Sequence, residues 1–301
     1  MENKKNIDML RFYGGDIRKR TAEGKFLVLN SSKNPRNTKD LLWGDIDAYR
    51  TLNALLFNGY ENEKERIFKE THQLNPVFIE LLEITLEIYT GAFSIMCEER
   101  KKQLLAPKVK RVDRQASLSA YTNGYTGSFV SCSKKEYEKE FAKKNKVILL
   151  EIEASEDSPY VDFQQIVTKE EYSHYDEQEV LFPPFLPLSI EKMSLTEQET
   201  HIKDMFGNPP VGKYLLKMGA FPDYRKIITS SKEELLGKIL STKGVAATCL
   251  RNMNAGLWDY DYQEYVNWKE DLHNYLKLVY SDLWYGEEEN KESLDGTDIL
   301  L

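Results

Sequence analysis

The chain has 301 residues, 41% of them hydrophobic and 30% charged, with a formal net charge of −8. That length can bury a large core in one large domain or two modest ones, and the acidic balance argues against a general nucleic-acid binder. Cys97, Cys132 and Cys249 are odd in number and lack metal-ligand spacing, which argues against a disulfide framework and against a metal site.

Met1–Asn6 leads into no apolar segment, and no apolar run approaches the ~20 residues of a membrane-spanning helix. The expectation is a chain made and folded in a reducing cytosol, with no transmembrane segment and no cleaved signal peptide. Residues 1–40 are polar, broken only by the β-like run Phe26-Leu27-Val28-Leu29, and read as an N-terminal arm or lid. Asp40 to Gly59 reads as a helix with Leu52, Leu55 and Leu56 on one face and Gly59 in the C′ position. Residues 76–105 give one or two further helices. Lys108–Arg114 has the texture of a strand, and its cations make either a solvated basic face or an anion site, where a guanidinium can grip a phosphate with two hydrogen bonds.

A turn-rich loop centred on Asn123-Gly124 follows, then a strand over Ser128–Ser133 and helical spacing over Lys134–Lys144. Val147–Ile152 is the clearest buried strand, and Pro159–Val161 is another short one. A polar loop over 164–176, holding Tyr172, His174 and Tyr175, runs into Glu177-Gln178-Glu179-Val180-Leu181-Phe182-Pro183-Pro184. Strand side chains repeat every two residues, so this spacing places Glu177 and Glu179 on one side of a strand start. Like charges so placed repel, a cost that a merely structural strand has no reason to accept. From Ser189 onward the chain reads as mostly helical, with breaks at Asn208-Pro209-Pro210 and Lys243-Gly244 and an apolar stripe from Tyr262 to Leu283. Residues 287–301 read as a disordered acidic tail.

The order of these parts resembles the R-S-E class of mono-ADP-ribosyltransferases, a family of bacterial toxins and vertebrate arginine-specific ectoenzymes. Tyr49-Arg50-Thr51-Leu52-Asn53 matches its helical Tyr-x-x-(Ile/Leu)-Asn stretch, and Arg114 occupies the place of its NAD-binding Arg. Phe129-Val130-Ser131-Cys132-Ser133 matches its aromatic-x-Ser-x-Ser strand, with Cys132 where Thr is usual. Leu149-Leu150-Glu151-Ile152 and Glu177–Pro184 match the two later motifs. The resemblance covers roughly residues 40–190. Gln115 stands where the family often has Gly, and Arg111 is the alternative arginine.

The resemblance implies an α+β ADP-ribosyltransferase fold, two packed and mainly antiparallel sheets with flanking helices. The catalytic domain would span 41–190, followed by a helical C-terminal extension over 191–286. It implies NAD as co-substrate and a protein acceptor, such as a host protein reached by a specialised secretion route. In the implied chemistry Glu179 stabilises the oxocarbenium-like state at the sugar, Ser131 orients Glu179, and Arg114 clamps the pyrophosphate. Backbone groups at Gln115 hold the carboxamide, Phe129 and Ser133 complete the NAD site, and Glu177 and Tyr175 face the acceptor. Arginine is the favoured acceptor and threonine or another hydroxyl the alternative. An NAD glycohydrolase and a non-catalytic NAD- or partner-binding module are the rival readings. The chain has no Gly-rich phosphate loop, so a Rossmann mode of NAD binding is disfavoured.

Overall fold

The computed structural model describes residues 2–14, 17–20, 26–28, 48–56, 76–102, 108–137, 145–172, 175–257 and 262–286. Two elements open the chain: helix α1 (Glu2–Tyr13) and a two-stranded antiparallel ribbon of β1 (Ile17–Arg20) and β2 (Phe26–Val28). Within the stretch expected to be an arm or lid, α1 puts Met9, Leu10 and Tyr13 into the core. These positions share one face at helical spacing, and burying them stabilises the docked helix. Helix α2 (Ala48–Leu56) buries Leu52, Leu55 and Leu56 completely, as their spacing predicts. The dense apolar stretch after residue 76 is one turn of helix followed by the long helix α3 (Leu82–Arg100).

Seven strands form one sheet: β3 (Val109–Arg114), β4 (Val130–Ser133), β5 (Val147–Ala154), β6 (Val161–Asp162), β7 (Glu179–Phe182), β8 (Leu188–Met193) and β9 (Gly212–Met218). Their order across the sheet is β6-β7-β4-β3-β5-β9-β8, and only β5 and β9 pair in parallel. The mainly antiparallel expectation therefore matches the pairing, but two separate sheets are not what is seen. One hydrogen-bonded sheet is divided into leaves of three and four strands, because β3 and β4 share the single register pair Lys110 opposite Ser133. Elsewhere the pairing is extensive, and every residue of β3 has a partner on β5.

The expected helical extension also needs correcting. It begins with strands, and β9 lies inside the larger leaf, between β5 and β8. Pro209-Pro210 ends a loop before that strand rather than separating two helices. Only then come α4 (Lys232–Asn254), capped by the Ser231 hydroxyl accepting from Glu234 N–H, and α5 (Tyr262–Tyr285). Ile239, Leu250, Tyr265, Leu272, Leu276 and Tyr280 of these helices share one core cluster with α1, α3 and β7. The helix expected over Lys134–Lys144 lies outside the described residues from 138 onward, and Lys134–Tyr137 is irregular. The acidic tail also lies outside them.

Candidate active site

Glu179 opens β7 and stands opposite Ser133 on β4, while Ser131 faces Leu181. Directly paired residues share a sheet face and so do residues two apart, so Glu179, Ser131 and Ser133 are on one side. Ser131 is thus a diagonal neighbour of Glu179, and Ser133 is its direct one. The Glu179 carboxylate is half-buried, and its Oε2 accepts a 2.6 Å hydrogen bond from the Tyr172 hydroxyl.

Glu177 does not share the strand. It ends a tight helical turn over Tyr175–Glu177, and Gln178 between the two acids has φ +52°, in the left-handed region. The period-two expectation fails here because that reversal breaks the alternation. The turn is nonetheless fixed. Ser133 Oγ donates to the Glu177 carbonyl at 2.7 Å, and Lys134 N–H donates to the Gln178 carbonyl at 3.2 Å. Tyr175 is half-buried and packs against the core, and its carbonyl accepts from Gln178 N–H. His174 lies outside the described residues.

The two arginines of β3 sit in different surroundings. Arg114 is exposed at the end of β3, opposite Val147, with its backbone N–H on Asp113 Oδ1. Gln115 is exposed too, and its backbone N–H is already committed to the Lys146 carbonyl at 2.8 Å. Arg111 sits at the joint between the leaves. Its Nη1 donates to the Ser131 carbonyl at 2.6 Å and its Nε to Asp113 Oδ2 at 3.1 Å. Among the described residues its Nη2 meets no acceptor, and 28% of the side chain remains open.

Burial works against the charge of Arg111, but Tyr121 and Asp113 outweigh it and hold the pKa above the ordinary arginine value. Asp113 is fixed in turn by the hydroxyls of Tyr121 (2.8 Å) and Ser117 (3.0 Å). Arg111 and Glu179 belong to one electrostatic neighbourhood, because both act on Tyr13 of α1 and on Cys132 of β4. Burial pushes the Cys132 thiol up to about 12, so it stays protonated and is no nucleophile.

Phe129 is 3% exposed, with its ring 4.9 Å from that of Tyr13, and it belongs to the wall behind the site. Its backbone N–H donates to Asn53 Oδ1 at 3.2 Å, and Asn53 Nδ2 donates to the Tyr13 hydroxyl at 2.9 Å. Asn53, the last residue of the Tyr49–Asn53 stretch, therefore ties α1 and α2 to the entry of β4. Tyr13, which feels the Glu179 charge, lies far from it in sequence on α1, whereas Tyr172 is only seven residues away, in the polar loop that runs into the strand, though no pattern there marks it as the partner of Glu179. Among the described residues no group of His, Cys, Asp and Glu could hold a metal ion, and no helix is long and apolar enough to cross a membrane.

No protein-family model and no curated protein matches this chain. Among solved structures it is similar to the catalytic domain of VahC from Aeromonas hydrophila, at 14% identity and TM-score 0.33, over 71% of this chain and 97% of that one. It is also similar to Plx2a, an ADP-ribosyltransferase toxin from Paenibacillus larvae, at 11% identity and TM-score 0.29, over 53% of this chain and 86% of that one. Likenesses this distant say nothing by themselves about chemistry.

Proposed function

We propose that this chain is an NAD-dependent protein mono-ADP-ribosyltransferase. The observation that carries this reading is a half-buried Glu179 carboxylate held from one side by Tyr172, next to the serine strand whose backbone also anchors Arg111. In the proposed reaction the bond from ribose C1′ to nicotinamide nitrogen breaks, and nicotinamide leaves with the bonding electrons. Positive charge grows on the sugar, and a carboxylate already in place beside it lowers that barrier without reorganising. Arg111 replaces Arg114 in the proposal as the pyrophosphate ligand, since its Nη2, which meets no acceptor among the described residues, is a charge-assisted donor near Ser131. Glu177, on the clamped turn, pairs with an arginine acceptor. One acceptor nitrogen then forms the new bond to C1′ and gives up its proton.

Incubation with labelled NAD and a cell lysate, followed by mapping of modified peptides, tests the reading. Transfer of label to protein is expected. Glu179→Ala should lower both transfer and NAD cleavage by about two to three orders of magnitude. Glu177→Gln should suppress protein modification far more than NAD cleavage, and the linkage should yield to neutral hydroxylamine. Nicotinamide release without protein labelling would mark a glycohydrolase instead. Failure of the wild-type protein to cleave NAD would sink the enzymatic reading.

A further inference from the structure

We propose that Tyr172 is a positioning residue whose hydroxyl fixes the orientation of the Glu179 carboxylate toward the reacting sugar, and that Arg11 and Gly14 hold Tyr172 in place for this. The inference rests on the transferase reading above. Tyr172 is 2% exposed, and its ring stacks on Phe163 with centroids 4.7 Å and planes 19° apart. Its N–H donates to the Thr168 carbonyl and its own carbonyl accepts from Tyr175 N–H, so the backbone is closed into turns on both sides.

The preceding residue is tied down as well. The Glu171 carbonyl accepts from Arg11 Nη2 at 2.6 Å, and Glu171 Oε2 accepts from Thr168 N–H at 3.0 Å. Gly14 closes another flank: a Cβ there would stand 3.0 Å from the Tyr172 hydroxyl oxygen and 3.2 Å from Cε2. The phenol therefore delivers its proton to Glu179 Oε2 from a ring that stacking, turns and α1 all restrain.

A phenol donating to a carboxylate makes a short, charge-assisted bond and occupies one oxygen. The carboxylate is then fixed in torsion, and the substrate meets it in one orientation. An interaction improved chiefly in the transition state changes kcat rather than KM. This separates a positioning role from a merely structural one.

The experiment is Tyr172→Phe, which keeps the ring and its stacking. NAD cleavage should lose roughly 10- to 100-fold in kcat while KM for NAD stays within about twofold. Introduced into Glu179→Gln, which has no carboxylate to position, the same change should cost less than about threefold. Carbon-13 NMR of the Glu179 carboxyl adds a readout independent of activity. Loss of a donor to the charged form should raise its titration midpoint by about one pH unit. Tyr13 on α1 and Cys132 on β4, which feel the Glu179 charge, and Arg111 on β3, which acts on both, are common to both proteins. An unchanged kcat, an equal loss in both backgrounds, or an unmoved titration would overturn the inference. A wild-type protein that cleaves no NAD would remove the transferase reading alone, and the titration would still decide whether Tyr172 holds Glu179.

Discussion

The larger leaf of the sheet is held by its ladder. Val147, Ile148, Leu149 and Leu150 of β5 are completely buried, and β5 is paired along its length to β3 on one side and to β9 on the other. The smaller leaf is shorter in every strand, joins the larger through one residue pair, and is fixed by discrete side-chain hydrogen bonds. Asn53 holds the entry of β4, Ser133 holds the turn before β7, and Tyr172 holds Glu179. The comparison separates two tasks. Regular pairing and burial give the large leaf its share of stability, whereas discrete polar contacts give the small leaf its geometry. Damage to the first should unfold the protein, and damage to the second should spoil the site with less effect on the fold.

The sharpest break of that comparison is a chain ended at Ile190. It loses β9 from inside the large leaf together with α4 and α5, whose apolar faces belong to the common core. It should be insoluble or lack a cooperative unfolding transition. A soluble product that unfolds cooperatively would show that the smaller leaf does not need the larger one, and the division of tasks would be wrong.

How much of this was legible in the sequence follows the same division. The helix faces around Leu52 and Leu272 could be read because apolar burial repeats with the helix period. Two acids before an apolar run single out Glu179, although the shared strand face that this pattern implies fails at Gln178, where φ is +52°. β9 could not be read, because Lys213 sits at a buried position that Glu151 and Glu199 satisfy at 2.7 and 2.8 Å, so its charge disguised the strand. The choice between Arg111 and Arg114 could not be read either. Three residues apart on one strand they point to opposite faces; the register, with Lys110 opposite Ser133, puts Arg114 on the face of Ser131 and Glu179, and the case for Arg111 rests instead on its bond to the Ser131 carbonyl. Tyr13 acts across a long sequence separation that no local pattern encodes, and Tyr172, seven residues before Glu179, reaches it only because the loop between them folds back.

The arginines supply the next test. Arg111→Ala should weaken NAD binding roughly 10- to 100-fold, the scale of a lost charge-assisted contact, while Arg114→Ala stays within about twofold. Calorimetric titration with NAD reads both, and the reverse ranking would return the pyrophosphate to Arg114. Asn53→Ala probes the clamp rather than the ligand. It leaves the Tyr13 hydroxyl and Phe129 N–H without Asn53, and a cost of about 1–3 kcal/mol in denaturant unfolding is expected. A variant as stable as the parent would mean that the clamp contributes nothing to holding β4.

A pH effect belongs to the helical side. His273 is buried with Nε2 against the Leu55 carbonyl at 3.1 Å, and burial, reinforced by Lys269 and Lys277, lowers its pKa well below the usual value. Above about pH 6.5 the imidazole is neutral folded or unfolded and costs nothing. As pH falls through that value the unfolded chain takes up a proton that the folded one refuses, so stability declines. His273→Gln should flatten that slope between about pH 6.5 and 5. An unchanged slope would assign the acid sensitivity to other groups.

The smallest expected effect is the most discriminating for the small leaf. Gly14→Ala adds one methyl group facing the Tyr172 hydroxyl at 3.0 Å, closer than ordinary contact, while the hydroxyl, the carboxylate and the buried core residues all remain. Tyr172 is stacked on Phe163 and closed into turns, so it can give way only by a few tenths of an ångström, and that displacement falls on its bond to Glu179. The loss in kcat should therefore be severalfold, less than for Tyr172→Phe, with the unfolding midpoint nearly unchanged. If stability fell and kcat held, the contact would serve packing. A fall in kcat alone would show that α1, far from being a loose arm, sets the geometry of the carboxylate.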